Sequence, residues 1–266
     1  FVPSRGLGDV YKRQMLIPAM KKSGIDSDFA VAVSASSSAI GPIIPPSILF
    51  VIYGSIANVS IAKLFLGGII PGILIGLSLM IVTYFYAKKR GYPSEKRSSL
   101  KNLIKSFLDS LIALMMPVII LGGIFGGIFT ATEAGVVAVF YAIIVGVFIN
   151  KTIKFSDLGG ILVKASITTS IALFVISAAS AFAWALAWEG FGEIALSFLT
   201  AFSDNPTVIL SLILIFVLIL GLFVEGIPVL IILSPVMLPV VNGLGIDLVY
   251  FGAVSYTHLR AHETVR

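Results

Sequence analysis

The stretch Ile40-Gly41-Pro42-Ile43-Ile44-Pro45-Pro46-Ser47 decides the fold, because it places three prolines within five residues inside a long apolar segment, 29–57. Each proline lacks an N–H and restricts the residue before it, so a continuous helix cannot run through the stretch. Unsatisfied backbone groups are costly in lipid, so a break at this depth has to be buried in protein or face a water-filled cavity. The sequence therefore predicts two helical pieces joined by an irregular segment within a membrane protein.

The composition of the whole chain agrees with this prediction. Of the 266 residues, 58% are hydrophobic and 12% are charged, and the mean hydropathy is +1.08. A soluble domain carries about 25% charged residues, so this chain has too little polar surface for a water-soluble globule. We predict an all-α integral membrane protein. The runs that approach the roughly 20 apolar residues of a span are 61–87, 108–129, 133–149, 165–188 and 208–224.

The residue types that a membrane-embedded enzyme needs are missing from the apolar body. Cysteine is absent, and both histidines, His258 and His262, lie in the last nine residues. The strings GxSxG, HExxH and GxxxxGK[ST] do not occur, which argues against hydrolase chemistry and against direct use of ATP. We predict that the chain is not an enzyme and binds no cofactor.

Basic residues indicate the orientation of the spans. Seven of them crowd into one connection, and Lys or Arg beside a span normally marks the cytoplasmic side. Counting outward places Lys21, Lys22, Lys151 and Lys154 on that side too, so we interpret the net charge of +5 as topology and not as nucleic-acid binding. Residues 100–108 either form an amphipathic helix at the membrane surface or begin the next span. The seven are Lys88, Lys89, Arg90, Lys96, Arg97, Lys101 and Lys105.

Two interruptions of the apolar runs carry the candidate ion and substrate sites. A serine run precedes the proline break, and unwound backbone carbonyls and hydroxyls are oxygen ligands that sodium accepts. The half-helix that follows would present the positive end of its dipole to an anion. Glu225-Gly226-Ile227-Pro228 is the second interruption, interpreted as the tip of a re-entrant hairpin. The assigned residues are Ser36, Ser37, Ser38, Gly41, Pro42, Pro45, Pro46, Ser47, Glu225, Gly226 and Pro228, with sodium near Ser37, Ser38 and Gly41.

A third interruption contains Thr130, Thr132 and Glu133, and it has two interpretations. An acid with long apolar runs on both sides is a candidate for a coupling role in transport. Threonine at an N-cap followed by a glutamate in the first turn is also ordinary helix-start chemistry. Both interpretations stay open at the level of sequence.

The two ends differ from everything between them. Residues 1–14 and 254–266 are polar and aperiodic, and we interpret them as non-native sequence. The transmembrane region is then 15–253, which we expect to be an internal fragment of a longer protein.

The motifs together resemble the large permease subunit of tripartite ATP-independent periplasmic (TRAP) transporters. The resemblance implies an inverted-repeat, elevator-type, sodium-coupled importer of organic anions such as C4-dicarboxylates or sialic acid, in the bacterial inner membrane. It also implies two partners, a small four-helix membrane subunit and a periplasmic substrate-binding protein. The motifs are IPAMKK (17–22), SAIGPIIPPS (38–47), LGGIIPG (66–72), FTATEA (129–134) and the stretch 235–252.

The sequence departs from that family in ways that affect function. The family's amino-terminal half and its final helix are missing, and Ala131 stands where the family usually has proline. We therefore expect the fragment to be inactive alone. Another sodium- or proton-coupled anion symporter and a non-transporting structural subunit remain as alternatives.

Overall fold

The computed structural model describes residues 16–38, 40–93, 98–224 and 226–260, and every regular element in these ranges is helical, as predicted. A short helical turn covers 16–22, and a π-helical turn, Val145–Ile149, extends the fifth of the longer helices. These longer helices are α1 (Ser27–Ser38), α2 (Ile48–Ala57), α3 (Ile61–Arg90), α4 (Leu100–Phe125), α5 (Ala131–Ile144), α6 (Phe155–Trp188), α7 (Phe191–Thr200), α8 (Pro206–Phe223), α9 (Gly226–Gly243) and α10 (Leu248–Arg260).

Six helices of the described chain are long and apolar enough to cross a membrane: α3, α4, α5 with its π turn, α6, α8 and α9. Two of them begin earlier than hydropathy predicts, α4 at Leu100 and α6 at Phe155. The Ser99 hydroxyl accepts from the Asn102 N–H at 3.3 Å, so α4 starts at a capping residue in the polar connection. Because α4 is continuous, residues 100–108 begin the spanning helix.

The orientation can be tested with a single introduced cysteine. Ser98 is exposed just before α4, and the native chain has no other thiol. We expect Ser98→Cys to resist a membrane-impermeant thiol reagent in intact cells and to react after permeabilisation, because its connection is rich in Lys and Arg. Asp204→Cys, exposed in the connection between α7 and α8, should react in intact cells and is the control. The reverse pattern would invert the topology.

The predicted proline break is confirmed. Helix α1 ends at Ser38, and α2 begins at Ile48 after a non-helical segment. Within it the N–H groups of Ile43 and Ile44 both donate to the Ile40 carbonyl, at 2.9 and 3.1 Å. The Pro45–Pro46 peptide bond is cis. Residues 40–47, called the proline break below, therefore form a compact turn that separates two helical pieces.

The second interruption is shorter than predicted. Helix α8 ends at Phe223 and α9 begins at Gly226, so the chain breaks there, but α9 then continues through Pro235 and Pro239. The buried Ser234 hydroxyl donates to the Leu230 carbonyl at 2.5 Å, beside the turn that Pro235 alters. Hydroxyls of this kind help membrane helices to accommodate proline. Residues 226–243 thus form one helix of 18 residues, and the re-entrant hairpin stays a prediction.

The chain divides into two compact units, Phe1–Tyr92 with Ala172–Arg266, and Pro93–Ile171. In the first unit α10 packs against α2, α3, α8 and α9, and α9 also packs against α2 and α7. In the second unit the Tyr141 hydroxyl donates to the Ile112 carbonyl at 2.7 Å and joins α5 to α4. Each unit therefore has helix packing of its own.

The first unit contains the same turn twice, in residues 18–30 and 239–251. Gly24 and Gly245 have left-handed backbones, with φ of 81° and 69°, and each is followed by isoleucine and aspartate. The backbone hydrogen bonds across the two turns also match in spacing. The first turn contacts Arg90 at the end of α3, whereas Tyr53, near the start of α3, donates a hydrogen bond to Leu248 within the second turn. The repeated turns therefore lie at opposite ends of α3.

The chain ends were predicted to be non-native. Residues 1–15 and 261–266 lie outside the described residues. Helix α10 runs through 254–260, and its Tyr256 hydroxyl donates to the Pro42 carbonyl at 2.9 Å. The interpretation of residues 254–266 as non-native sequence stays a prediction.

Candidate functional site

Two serines at the end of α1 donate their hydroxyl protons within their own helix. Ser37 donates to the Ser34 carbonyl at 3.1 Å, and Ser38 donates to the Ala35 carbonyl at 2.7 Å. Each hydroxyl oxygen keeps its acceptor lone pairs after this donation. The run therefore presents oxygen acceptors, as the proposed cation chemistry requires.

Two other serines carry the strongest signal for a ligand. The hydroxyls of Ser34 and Ser47 are fully buried and have no hydrogen-bond partner among the described residues. Burial of an unpaired hydroxyl costs about 1–3 kcal/mol in proteins, so such a group usually has an ion or water as its partner. Ser47 was predicted as a site residue and Ser34 was not, although it belongs to the same serine run.

The start of α2 adds to this site. Ser47 is the N-cap residue of α2 and has an extended backbone, yet its side chain makes no capping hydrogen bond. The hydroxyl is thus free of the role that serine usually has at a helix start. The buried side chains of Leu49, Phe50 and Tyr53 hold α2 in the first unit.

The other predicted residues in and just before the proline break differ in exposure. Pro45 is buried, Ser36 and Pro42 are half-buried, and Gly41 and Pro46 are exposed. The break therefore has one face in the protein interior and one face that is open.

The second predicted region is only partly described. Glu225 lies outside the described residues, whereas Gly226 is buried and Pro228 is half-buried in the first turn of α9. Helix α9 packs against α2, so the two interrupted regions belong to one helix cluster. No hydrogen bond among the described residues joins the proline break to Gly226 or Pro228. Their part in one site stays a prediction.

The third interruption forms a helix cap. The Thr130 hydroxyl accepts from the Glu133 N–H, and the Glu133 carboxylate accepts from the Thr130 N–H at 2.8 Å and from its hydroxyl at 2.9 Å. This reciprocal arrangement is a capping box. Thr132 is exposed and takes no part in the capping hydrogen bonds. The capping interpretation of Glu133 is therefore observed, and its coupling role in transport stays a prediction.

An ion-pair cluster at the end of α3 was missed by sequence reasoning, which assigned Arg90 to topology alone. One Arg90 nitrogen, Nη1, donates to Asp26 and Asp28 at 3.0 Å each and to the Tyr92 hydroxyl at 3.2 Å. The Phe29 ring stacks on Tyr86 beside it. Hydrogen bonds from the Phe29 N–H and from Arg90 lower the pKa of Asp28. This cluster, the Arg90 latch below, joins the start of α1 to α3.

The Arg90 latch and the serine run share a groove. A space of about 420 Å³ lies between α1 and α3, lined along α1 from Asp28 to Ser37 and along α3 from Leu79 to Arg90. The described residues contain no group of three or more His, Cys, Asp or Glu side chains that could hold a metal ion. The side-chain oxygens that line the groove are the carboxylate of Asp28 and the hydroxyls of Ser36, Ser37, Thr83 and Tyr86.

Comparison with known families covers nearly the whole chain. The family model described as "Tripartite ATP-independent periplasmic transporter, DctM component" matches residues 13–262. The chain belongs to this family. The TRAP permease family was predicted from the motifs, and the match includes the proline break, both repeated turns and the Arg90 latch.

Individual relatives agree with this membership. A sialic acid TRAP transporter large permease from Vibrio cholerae is 38% identical over 92% of the chain. A 2,3-diketo-L-gulonate large permease from Escherichia coli is 36% identical over 90%, and a C4-dicarboxylate large permease from Pseudomonas aeruginosa is 34% identical over 91%. The chain spans 56% to 58% of the length of these relatives. These relatives are named as permeases, a non-enzymatic function.

In this TRAP permease chain the Arg90 latch gives a testable local prediction. Arg90→Gln removes the charge that binds both aspartates, so we expect several-fold faster hydrogen exchange in α1, because the start of that helix loses its tie to α3. The ion pair between Arg90 and Asp28 should persist at neutral pH and weaken only as the pH falls through the lowered pKa of Asp28. Lys89→Gln is the control, because Lys89 lies in the same turn and has no ion pair within the part of the chain that the structure describes. Equal exchange in both variants would contradict the assignment.

Proposed function

We propose that this chain is the membrane permease part of a sodium-coupled, binding-protein-dependent importer of organic anions. The observation that carries the proposal is the pair of buried hydroxyls of Ser34, in α1, and Ser47, the last residue of the proline break, which have no hydrogen-bond partner among the described residues. Broken helices with free oxygen groups are where secondary transporters bind their coupling ions. The serine run supplies further oxygens, with Ser37, Ser38 and Gly41 as the neighbouring candidates.

The names of the relatives support the proposed substrate class. The three relatives above are named for sialic acid, 2,3-diketo-L-gulonate and C4-dicarboxylates, all of which are carboxylates. The first-turn N–H groups of α2 and the positive end of its dipole favour an anion near Ser47. We assign a carboxylate to that end of the site and sodium to the oxygen-rich side.

The partners belong to the same proposal. The family description names a tripartite periplasmic transporter. A periplasmic substrate-binding protein would deliver the anion, and a small four-helix membrane subunit would complete the permease in the bacterial inner membrane. The relatives are longer than this chain, so activity is assigned to a permease of full family length.

Reconstitution tests the substrate class and the partners together. A permease of full family length that carries this sequence is placed in proteoliposomes with its small subunit, and labelled sialic acid, C4-dicarboxylates and sugar acids are offered. We expect accumulation of one carboxylate class, and only when the binding protein is present. Accumulation that does not need the binding protein, or transport of neutral solutes alone, would contradict the proposal.

A further inference from the structure

Two glycines of α3 lie directly against the proline break. Gly68 and Gly72 are buried and one helical turn apart, so they share a face of α3. A Cβ atom added to Gly68 would lie 2.7 Å from the Ile43 carbonyl oxygen and 2.6 Å from Cε2 of Phe50. A Cβ added to Gly72 would lie 2.6 Å from Cγ1 of Ile44. The break therefore approaches the helix backbone more closely than any larger residue would allow.

This close approach is specific to Gly68 and Gly72 within α3. Gly76 lies one turn further along, and a Cβ there would meet no atom of the described residues within 4 Å. Among the same residues, a Cβ on Gly67 would meet the Ala253 Cβ alone, at 3.3 Å. Glycine weakens a helix by about 1 kcal/mol relative to alanine, so two glycines on this one face call for a packing reason. The proline break supplies that reason.

The contact between α3 and the proline break holds residues that are close in sequence to Ser47 of the candidate site. Ile43 is 2% exposed and its N–H is bonded to Ile40, so the residue is held both by the turn and by α3. From Ile44 only the two prolines separate the chain from Ser47, and proline restricts backbone rotation. A displacement of the chain at Gly68 would therefore be carried to the Ser47 hydroxyl.

We infer that Gly68 and Gly72 are positioning residues for the proposed cation site, because they form the surface on which the proline break is seated. They touch no ion themselves. They set the location of Ser47 relative to the serine run of α1. This inference rests on the proposed function, since it assigns a role in binding the coupling ion.

The test compares three alanine variants in a permease of full family length that carries this sequence. For Gly68→Ala and Gly72→Ala we expect the sodium concentration for half-maximal uptake to rise about tenfold, since a displacement of about 1 Å can cost up to a hundredfold at a positioned site. Gly76→Ala is the matched control and should keep the wild-type sodium dependence. The sodium-induced rise in melting temperature, measured without substrate, should fall in the first two variants only.

A rescue separates positioning from general damage. The three atoms nearest the Cβ of Gly72→Ala are side-chain atoms of Ile44 and Ile43, so this variant tests the inference even if Gly68→Ala does not fold. Adding Ile44→Ala removes the atom that the new Cβ would strike and should restore much of the sodium affinity. If folded Gly68→Ala or Gly72→Ala keeps wild-type sodium dependence, the inference is wrong. If the wild type itself needs no sodium, the proposed function fails instead.

Discussion

Replacing Ser47 with alanine is expected to raise the sodium concentration for half-maximal uptake about tenfold, equivalent to about 1.4 kcal/mol of binding free energy. The physical reason is the buried Ser47 hydroxyl, which makes no hydrogen bond to the described residues. In the absence of sodium the same variant should melt at the wild-type temperature or slightly higher, because alanine removes an unsatisfied buried polar group. Ser34→Ala is expected to behave in the same way.

A weaker sodium affinity without a loss of sodium-free stability distinguishes an ion ligand from a structural hydroxyl. A hydroxyl with a purely structural role would lower the melting temperature in both conditions and leave the sodium dependence of uptake unchanged. Ser78→Ala is the control, since the Ser78 hydroxyl is exposed and bonds the Leu74 carbonyl of its own helix. Melting curves with sodium and with choline, together with uptake titrations, give both readouts. A sodium affinity unaltered in both Ser47→Ala and Ser34→Ala would contradict the site.

Gly252→Ala is expected to give a large loss of stability. A Cβ on Gly252 would lie 2.2 Å from Cε1 of Tyr53. Tyr53 is only 2% exposed, and its hydroxyl donates to the Leu248 carbonyl at 2.7 Å, so the ring cannot move away without losing that bond. Overpacking of this kind costs about 1–3 kcal/mol. Thermal melting in detergent should show a clear fall in melting temperature.

Two further variants define the cause. Gly135→Ala is the control, because a Cβ at this helical position would meet no atom of the described residues within 4 Å. Since alanine favours a helix more than glycine does, the variant should be neutral or slightly stabilising. Adding Tyr53→Leu to Gly252→Ala removes the ring that the new Cβ strikes and should recover part of the loss. A Gly252→Ala variant that melts like the wild type would show that α2 and α10 do not pack as described.

Much of the fold follows from local sequence. A helix in lipid needs a long apolar run, and the composition of this chain leaves few alternatives, so the spans could be located in advance. Three prolines in residues 42–46 exclude a continuous helix whatever the surroundings. The helix starts at Leu100 and Phe155 were missed because hydropathy locates only the apolar part of a helix. The polar first turns of these helices extend beyond that part.

The candidate site was less accessible from the sequence, because burial and long-range contacts decide it. A serine run predicts oxygens, but only the packing shows that Ser34 and Ser47 are buried and have no hydrogen-bond partner among the described residues. The Arg90 latch joins residues more than 60 positions apart, and the Tyr53–Leu248 bond joins residues 195 apart. Such pairs have no local signal. The capping box at Glu133 could be recognised only from its hydrogen bonds, since both interpretations start from the same residues.

The central claim, a sodium-coupled permease for organic anions, is tested most directly by the ion that drives uptake. Proteoliposomes with the permease at full family length, its small subunit and its binding protein would be given an inward sodium gradient in the presence of a transported carboxylate. We predict that the carboxylate accumulates inside the vesicles above its outside concentration. This accumulation should persist with a protonophore and collapse with a sodium ionophore. Accumulation driven by a proton gradient in sodium-free buffer would contradict it.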